Sequence, residues 1–299
     1  MIVRALKGLE SAISVSVVHP TWGKTRPDDD SDEHHGWQFK DVTDPPVSNP
    51  AGYGSFDCKG CVPDFVNGVS FVRDLYDKVG YDGKKFTVPI LWDKQTNTIV
   101  NNESSEIIRQ FNAAFDGVCK NPKVDLYPSE LREEIDAVNS WVYEQVNNGV
   151  YRCGFAQSQS AYDTAVEGLF SGLDRLEQIL SKQRYLCGEQ FTEADVRAFP
   201  TLIRFDEVYV VYFKCDRARI MKDYPHLSNY VREIYQMPGI ADTVDMKHIK
   251  THYFTSHPTL NKYAVIPSGP DVLNEVTLPH NREELFPLEG PPTKKAKSN

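Results

Sequence analysis

From about residue 125 onward the apolar residues recur at steps of three and four, and this periodicity constrains the fold more than any other feature of the chain. Leu131, Ile135, Val138, Val142 and Val146 mark one face of a long amphipathic helix. Asn147-Asn148-Gly149 is a suitable stop for it, since asparagine and glycine accept the left-handed conformation that ends helices. Ala165, Leu169, Leu173, Leu176 and Leu180 outline a second helix. Thr192 and Asp195 open a third as a capping box: the threonine hydroxyl accepts from the Asp195 amide, and the carboxylate reaches back to residue 192. Further helix is predicted near 226–237 and 241–251.

The front of the chain reads differently. Ile2, Val3, Leu6 and Leu9 have helical spacing with Gly8 near the end, but no N-cap residue precedes them. Ile13 to Val18 alternates apolar and polar residues and is β-branched, which predicts a strand. His19 to Phe65 is irregular, with prolines, glycines and an acidic run from Asp28 to Glu33; a stretch this long is usually functional or disordered. Val69, Val72, Leu75 and Tyr76 mark a helix. Phe86 to Trp92 reads as a strand interrupted by Pro89, followed by a turn, a short strand and a helix from about Ser104 with Ile107, Ile108 and Phe111 on one face. The fold class is therefore α/β plus all-α: an α/β domain over 1–120 with its long loop 19–65, a helical domain over 125–267, and a proline- and charge-rich tail, 268–299, expected to be disordered. No repeat with a period of about 20–50 residues is present.

Charge and cysteine usage narrow the function. The 33 basic and 42 acidic residues leave a net charge of -9, which argues against non-specific nucleic-acid binding. No run reaches the roughly 18 apolar residues of a membrane span, and the charged start lacks the apolar core of a signal peptide. Six cysteines, mostly scattered singly, fit a reducing compartment, so a cytoplasmic location is expected. Cys58 and Cys61 form a CxxC motif, but in an irregular segment and without the two further ligands of a closed zinc site, so no metal is expected. His34-His35 sit in the acidic loop, where solvent exposure is the ordinary outcome, and Lys294, Lys295 and Lys297 form a basic patch that resembles a weak nuclear-targeting signal or a solvated tail.

One piece of chemistry stands out. A helix N-terminus presents unpaired amides and a partial positive charge, so it holds a carboxylate; Ser104 adds a hydroxyl and Glu103 can pair with an ammonium. Singly, Ser104 caps a helix and Pro89 ends a strand. Together, at this spacing after Val88-Pro89, they suit an amino-acid head group.

These residues also carry a resemblance. Val88-Pro89, Glu103-Ser104 and the Thr192–Asp195 cap are similar to those of the thioredoxin-like and helical halves of glutathione transferases. The longer runs VPILWDKQTNTIVNNESSEIIRQFN, VNNGVYRCGF, SKQRYLCGEQFTEADVRAF, LIRFDEVYVVYFKC and HIKTHYF resemble the glutathionyl-hydroquinone reductases, the Xi class, over about residues 2–267. The resemblance implies a thioredoxin-like domain and a helical domain, with glutathione as co-substrate and quinone or hydroquinone conjugates as partners. It implies glutathione contacts from Trp37, Lys85, Phe86, Thr87, Val88, Glu103 and Ser104, with Pro89 cis. Tyr151, Tyr209 and Tyr253 match the family's three tyrosines around a catalytic thiol, Tyr151 as general acid and the other two favouring the thiolate. A homodimer through the helical domain is implied as well. In the family a strand and a Cys-Pro-Trp-Ala motif precede the segment matching IVRALKGLE, whereas here that segment follows Met1 directly. The chain as it stands is therefore expected to lack turnover and to bind glutathione weakly or undetectably, with a non-catalytic glutathione- or quinone-binding protein, or an interaction protein, as the alternative.

Overall fold

The computed structural model describes residues 1–287 and divides into two compact units, Met1–Asp125 with Asp242–Pro270, and Leu126–Ala241 with the chain from Asp271. In the first unit, helix α1 (Ile2–Leu6) leads into Lys7, which is fully buried with its ammonium on Asp116 at 2.6 Å and on the Val124 carbonyl at 2.8 Å. The strand expected at Ile13–Val18 does not form; Val17 alone pairs, antiparallel to Val62, through two bonds of 2.9 Å. Local bonds replace the ladder. The Ile13 amide closes a turn on Leu9, its carbonyl accepts from the Arg4 guanidinium at 2.8 Å, and the Ser16 hydroxyl donates to Pro63 at 2.9 Å.

The irregular stretch after His19 is held chiefly by side chains. Strands β1 (Gly23–Lys24) and β2 (His35–Gly36) pair antiparallel. Helix α2 (Val72–Lys78) is tied back to this stretch by Arg26, which meets Asp74 at 2.7 Å and also Asp77, and by Arg73 on Asp32 at 2.6 Å. Part of the acidic run is thus neutralised in place. Strand β3 (Leu91–Asp93) pairs antiparallel with β4 (Thr98–Asn101), and α3 (Ser104–Ala113) follows. The strand predicted from Phe86 is shorter because Pro89 has no amide to donate to a ladder.

The second unit is all helical: α4 (Arg132–Val142), α5 (Gly149–Gly154), α6 (Gln159–Leu180), α7 (Glu193–Arg204), α8 (Val210–Tyr212), α9 (Ile220–Asp223) and α10 (Pro225–Gln236). Asn147-Asn148-Gly149 does not stop the first of these. A π turn over Tyr143–Asn147 carries the helical path on, the Asn148 amide reaching Tyr143 at 2.8 Å, while Asn147 donates to the Arg197 carbonyl and the Thr201 hydroxyl. A second π turn, Phe205–Tyr209, joins α7 to α8. The cap on α7 has the Thr192 amide donating to Asp195 Oδ2 at 2.8 Å.

Two domain assignments from the sequence are corrected. Helix α11 (Met246–Ser256) belongs to the first unit, not the helical one, because its side chains bond to the loop: Thr255 to Thr21 at 2.8 Å, Ser256 and His252 to the Pro20 carbonyl at 2.9 Å each. Residues 271–287 are not disordered. Helices α12 (Val272–Val276) and α13 (Arg282–Leu285) pack in the second unit, with the Val272 amide on Glu207 at 3.0 Å and Arg282 fully buried against Glu233 at 3.0 Å. Lys294, Lys295 and Lys297 lie outside the described residues.

Arg282 also donates to the carbonyls of Leu180, Gln183 and Arg184. Arg282→Ala leaves those acceptors and part of a buried carboxylate uncompensated. Denaturant unfolding should show a loss of about 3–5 kcal/mol. Adding Glu233→Ala should cost less than its own single-mutant loss, because the two share one network.

Candidate functional site

In the first unit the Val88-Pro89 peptide is cis. Val88 is 37 % exposed, and the residues before it are fastened from two sides. The Tyr76 hydroxyl of α2 donates to the Thr87 carbonyl at 2.9 Å, and Asn102 Nδ2 donates to the Thr87 hydroxyl at 2.9 Å. Phe86 is ringed by Tyr76, Tyr81 and His34 at centroid distances of 5.6, 6.0 and 5.1 Å, with the Arg73 guanidinium 5.2 Å from its centre. Lys85 is exposed.

At the start of α3 the cap is Glu103, not Ser104. Glu103 Oε1 accepts from the Ser105 amide at 3.1 Å and the Ser105 hydroxyl at 2.9 Å, and the Glu103 amide is held by Asn101 Oδ1 at 2.8 Å. A carboxylate suits this positive helix end. Ser104 is the first helical residue and is exposed, with its hydroxyl 3.5 Å from Glu103 Oε1.

Trp37 lies on the loop side of the first unit. Its indole stacks on His252 of α11 at 4.4 Å and 28° and meets Trp22 edge to face at 5.9 Å. His252 is oriented through Nδ1 by the Pro20 carbonyl at 2.9 Å and by the Ser256 hydroxyl at 3.2 Å. Tyr253, 5 % exposed, sits 5.3 Å from the His252 ring, so it belongs to the unit that holds Trp37. Burial lowers the basicity of His257, whose ring faces Trp22 at 5.0 Å.

Tyr151 and Tyr209 are in the second unit, 6.1 Å apart between ring centres. Phe213 joins them, stacked on Tyr209 at 5.6 Å and 5.2 Å from Tyr151. Tyr209 is 1 % exposed and Tyr151 37 %, so the cluster opens to solvent on the α5 side. Gly154 allows this close fit: a Cβ there would stand 2.0 Å from the Phe213 ring. Each tyrosine follows a π turn, Tyr151 shortly after Tyr143–Asn147 and Tyr209 at the end of Phe205–Tyr209, and such turns often accompany functional sites. Sequence reasoning missed Tyr76, Asn102, His252 and Phe213. Tyr76 follows the core pattern of its helix, and the signal for a second role is that a buried phenol needs a hydrogen-bond partner.

Five of the six cysteines are buried. Cys58 and Cys61 close a turn, the Cys61 amide on the Cys58 carbonyl at 3.0 Å with Gly60 at φ +83°, and both side chains are buried. Burial pushes the Cys58 thiol up, and Cys61 and Cys187 up to about 12. A hydrogen bond between Cys153 and Cys215 lowers the first and raises the second, and both are buried. Among the described residues no group of three or more His, Cys, Asp or Glu is placed to hold a metal ion, and no helix is long and apolar enough to cross a membrane.

The family of glutathione S-transferase C-terminal domains matches residues 159–233. The chain is 47% identical over 288 residues to the glutathionyl-hydroquinone reductase YqjG of Escherichia coli, covering 96% of this chain and 79% of the relative. It is 44% identical to the glutathionyl-hydroquinone reductase PcpF of Sphingobium chlorophenolicum over 272 residues, 90% of this chain and 78% of that one. Among solved structures, glutathione-bound YqjG superposes with a TM-score of 0.82 at 46% identity, covering 95% of this chain and 83% of that chain. The Xi glutathione transferase of Phanerochaete chrysosporium does so with a TM-score of 0.81 at 47% identity, covering 93% and 86%. The fold is that of a glutathione transferase, with a small-sheet thioredoxin-like region and a helical domain, and the chain belongs to the glutathionyl-hydroquinone reductases, the Xi-class glutathione transferases.

Proposed function

We propose that this protein serves the glutathione-dependent reduction of glutathionyl-hydroquinones, in the cytoplasm. The observation that carries the reading is the pairing, in one unit, of the Thr87–Val88 segment with the Glu103–Ser104 helix start, supported by relatives that carry the reductase name and by a glutathione-bound relative of the same fold. Glu103 and Ser104 hold the γ-glutamyl end, Lys85 to Val88 the peptide backbone, and Trp37 packs over the tripeptide.

In this reaction a cysteine thiolate attacks the sulfur of the conjugate. The carbon–sulfur bond breaks, its electron pair goes to the aromatic carbon, and that carbon takes a proton from Tyr151. The product is a hydroquinone and an enzyme–glutathione mixed disulfide. A second glutathione thiolate then attacks the disulfide, leaving glutathione disulfide and the enzyme thiolate. The family resemblance gives Tyr209 and Tyr253 the role of favouring the ionised form of that thiol.

Cys58, Cys61, Cys153, Cys187 and Cys215 are buried and do not supply that thiolate, and Cys119 is half-buried with its thiol donating to the Asp116 carbonyl at 3.7 Å. Purified as these 299 residues, the chain should show no thiol-dependent turnover of glutathionyl-hydroquinone above the uncatalysed rate. Turnover abolished by Cys58→Ser would overturn this and make the CxxC pair catalytic.

With the family's strand and Cys-Pro-Trp-Ala motif joined ahead of Met1, turnover should appear. In that form Tyr151→Phe should lower kcat by about 10²–10⁴-fold, as loss of a general acid does. Tyr209→Phe and Tyr253→Phe should raise the pH at which the thiol is alkylated; alkylation profiles identical to the parent would remove the two tyrosines from that role. Failure of the extended protein to turn over, together with glutathione binding, would favour a non-catalytic glutathione-binding protein.

A further inference from the structure

We infer that Tyr76 is a positioning residue for the glutathione backbone site, setting the pose of Thr87 and Val88 from beneath; this rests on the glutathione reading above. The segment has little else to hold it. Thr87, Val88 and Pro89 are exposed, β3 begins only at Leu91, and among the described residues no backbone-to-backbone hydrogen bond joins residues 82–90 to the rest of the chain. Proline contributes no amide of its own. What remains is the Tyr76 hydroxyl on the Thr87 carbonyl at 2.9 Å, Asn102 on the Thr87 hydroxyl at 2.9 Å, and the socket around Phe86.

The two clamps differ in rigidity. Asn102 is exposed, whereas Tyr76 is 4 % exposed and packs against Tyr81 and Phe86. The helix that carries it is pinned at both ends of its acidic face. Arg26 spans Asp74 and Asp77, and Asp74 Oδ2 accepts the Phe71 amide at 2.9 Å. A donor fixed in this way pre-organises the Thr87–Val88 peptide before any ligand arrives, which reduces what binding must spend on ordering it. The peptide whose orientation is set belongs to the residue that pairs with the tripeptide, so Tyr76 acts on affinity without touching the ligand.

The test is Tyr76→Phe, which keeps the ring and removes only the donor, beside Asn102→Ala and a Ser104→Ala control. Hydrogen exchange of the peptide spanning 84–92, measured on the unliganded protein, should rise in Tyr76→Phe. Glutathione affinity, followed by tryptophan fluorescence up to millimolar glutathione, should fall about three- to tenfold, the scale of one net hydrogen bond. The melting temperature should stay close to the parent, because the Thr87 carbonyl is left to water. Unchanged exchange overturns the inference. So does raised exchange with unchanged affinity when Ser104→Ala still weakens binding. A parent that binds no glutathione, or binds it with no effect of Ser104→Ala and Glu103→Ala, removes the glutathione reading instead, while the exchange arm still judges the clamp.

Discussion

The carboxylate of Asp195 is the constraint on which the helical unit depends. It is completely buried and accepts four hydrogen bonds: from the amides of Leu186 and Thr192 and the hydroxyls of Thr192 and Tyr230, at 2.9, 2.8, 3.2 and 2.7 Å. Burial pushes its pKa up while these donors oppose the rise. One side chain therefore fixes the start of α7, the turn after α6 and the middle of α10. Because α7 runs on into the π turn that ends at Tyr209, the placement of that tyrosine begins with this cap. A second buried network lies beside it. Glu233 of α10 receives Arg184, Tyr185 and Arg282, which closes the same turn from the other side and draws in the chain after Asp271.

The first unit uses the opposite strategy. Its two sheets are two-stranded hairpins, too small to organise about 150 residues by ladder bonds alone. Order comes from polar side chains that stand in for backbone partners: Gln38 on the Thr21 carbonyl, His19 on Asp57, Asn49 on Lys262, Arg26 on Asp74 and Asp77 of α2, and Arg73 on Asp32 of the acidic run. The long loop is thereby a scaffold with α11 as its backing, and Trp37 stands where the two meet.

This contrast explains what was legible in the sequence. Helices whose apolar faces repeat every three or four residues, such as Ala165 to Leu180, could be read directly, and so could the Thr192–Asp195 cap, because both are local. Over Ile13–Val18 the β-branched alternation states only a preference, while the partners of Ile13 and Ser16, Arg4 and Pro63, are chosen in three dimensions. The order of residues 271–287 is not legible in the sequence because Arg282, one charge in a polar stretch, gives no sign of burial until Glu233 and three carbonyls are seen around it. At the candidate site, Val88, Glu103 and Ser104 stand out by motif. Tyr76 and His252 do not, since their contacts are with another residue's backbone or ring and leave no spacing signature.

The two π turns have a consequence for how this fold can vary. A π turn is an α-helix that has absorbed one residue, so everything beyond it is rotated by about 100° relative to an uninterrupted helix. Tyr151 and Tyr209 both lie at or beyond such an insertion. Their directions are therefore set by chain length as much as by residue type. Exchanging neighbours within Tyr143–Asn147 or Phe205–Tyr209 leaves a ring pointing where it was, whereas losing a single residue from either turn swings the ring around the helix. In these two stretches, an unbroken residue count is itself a structural requirement.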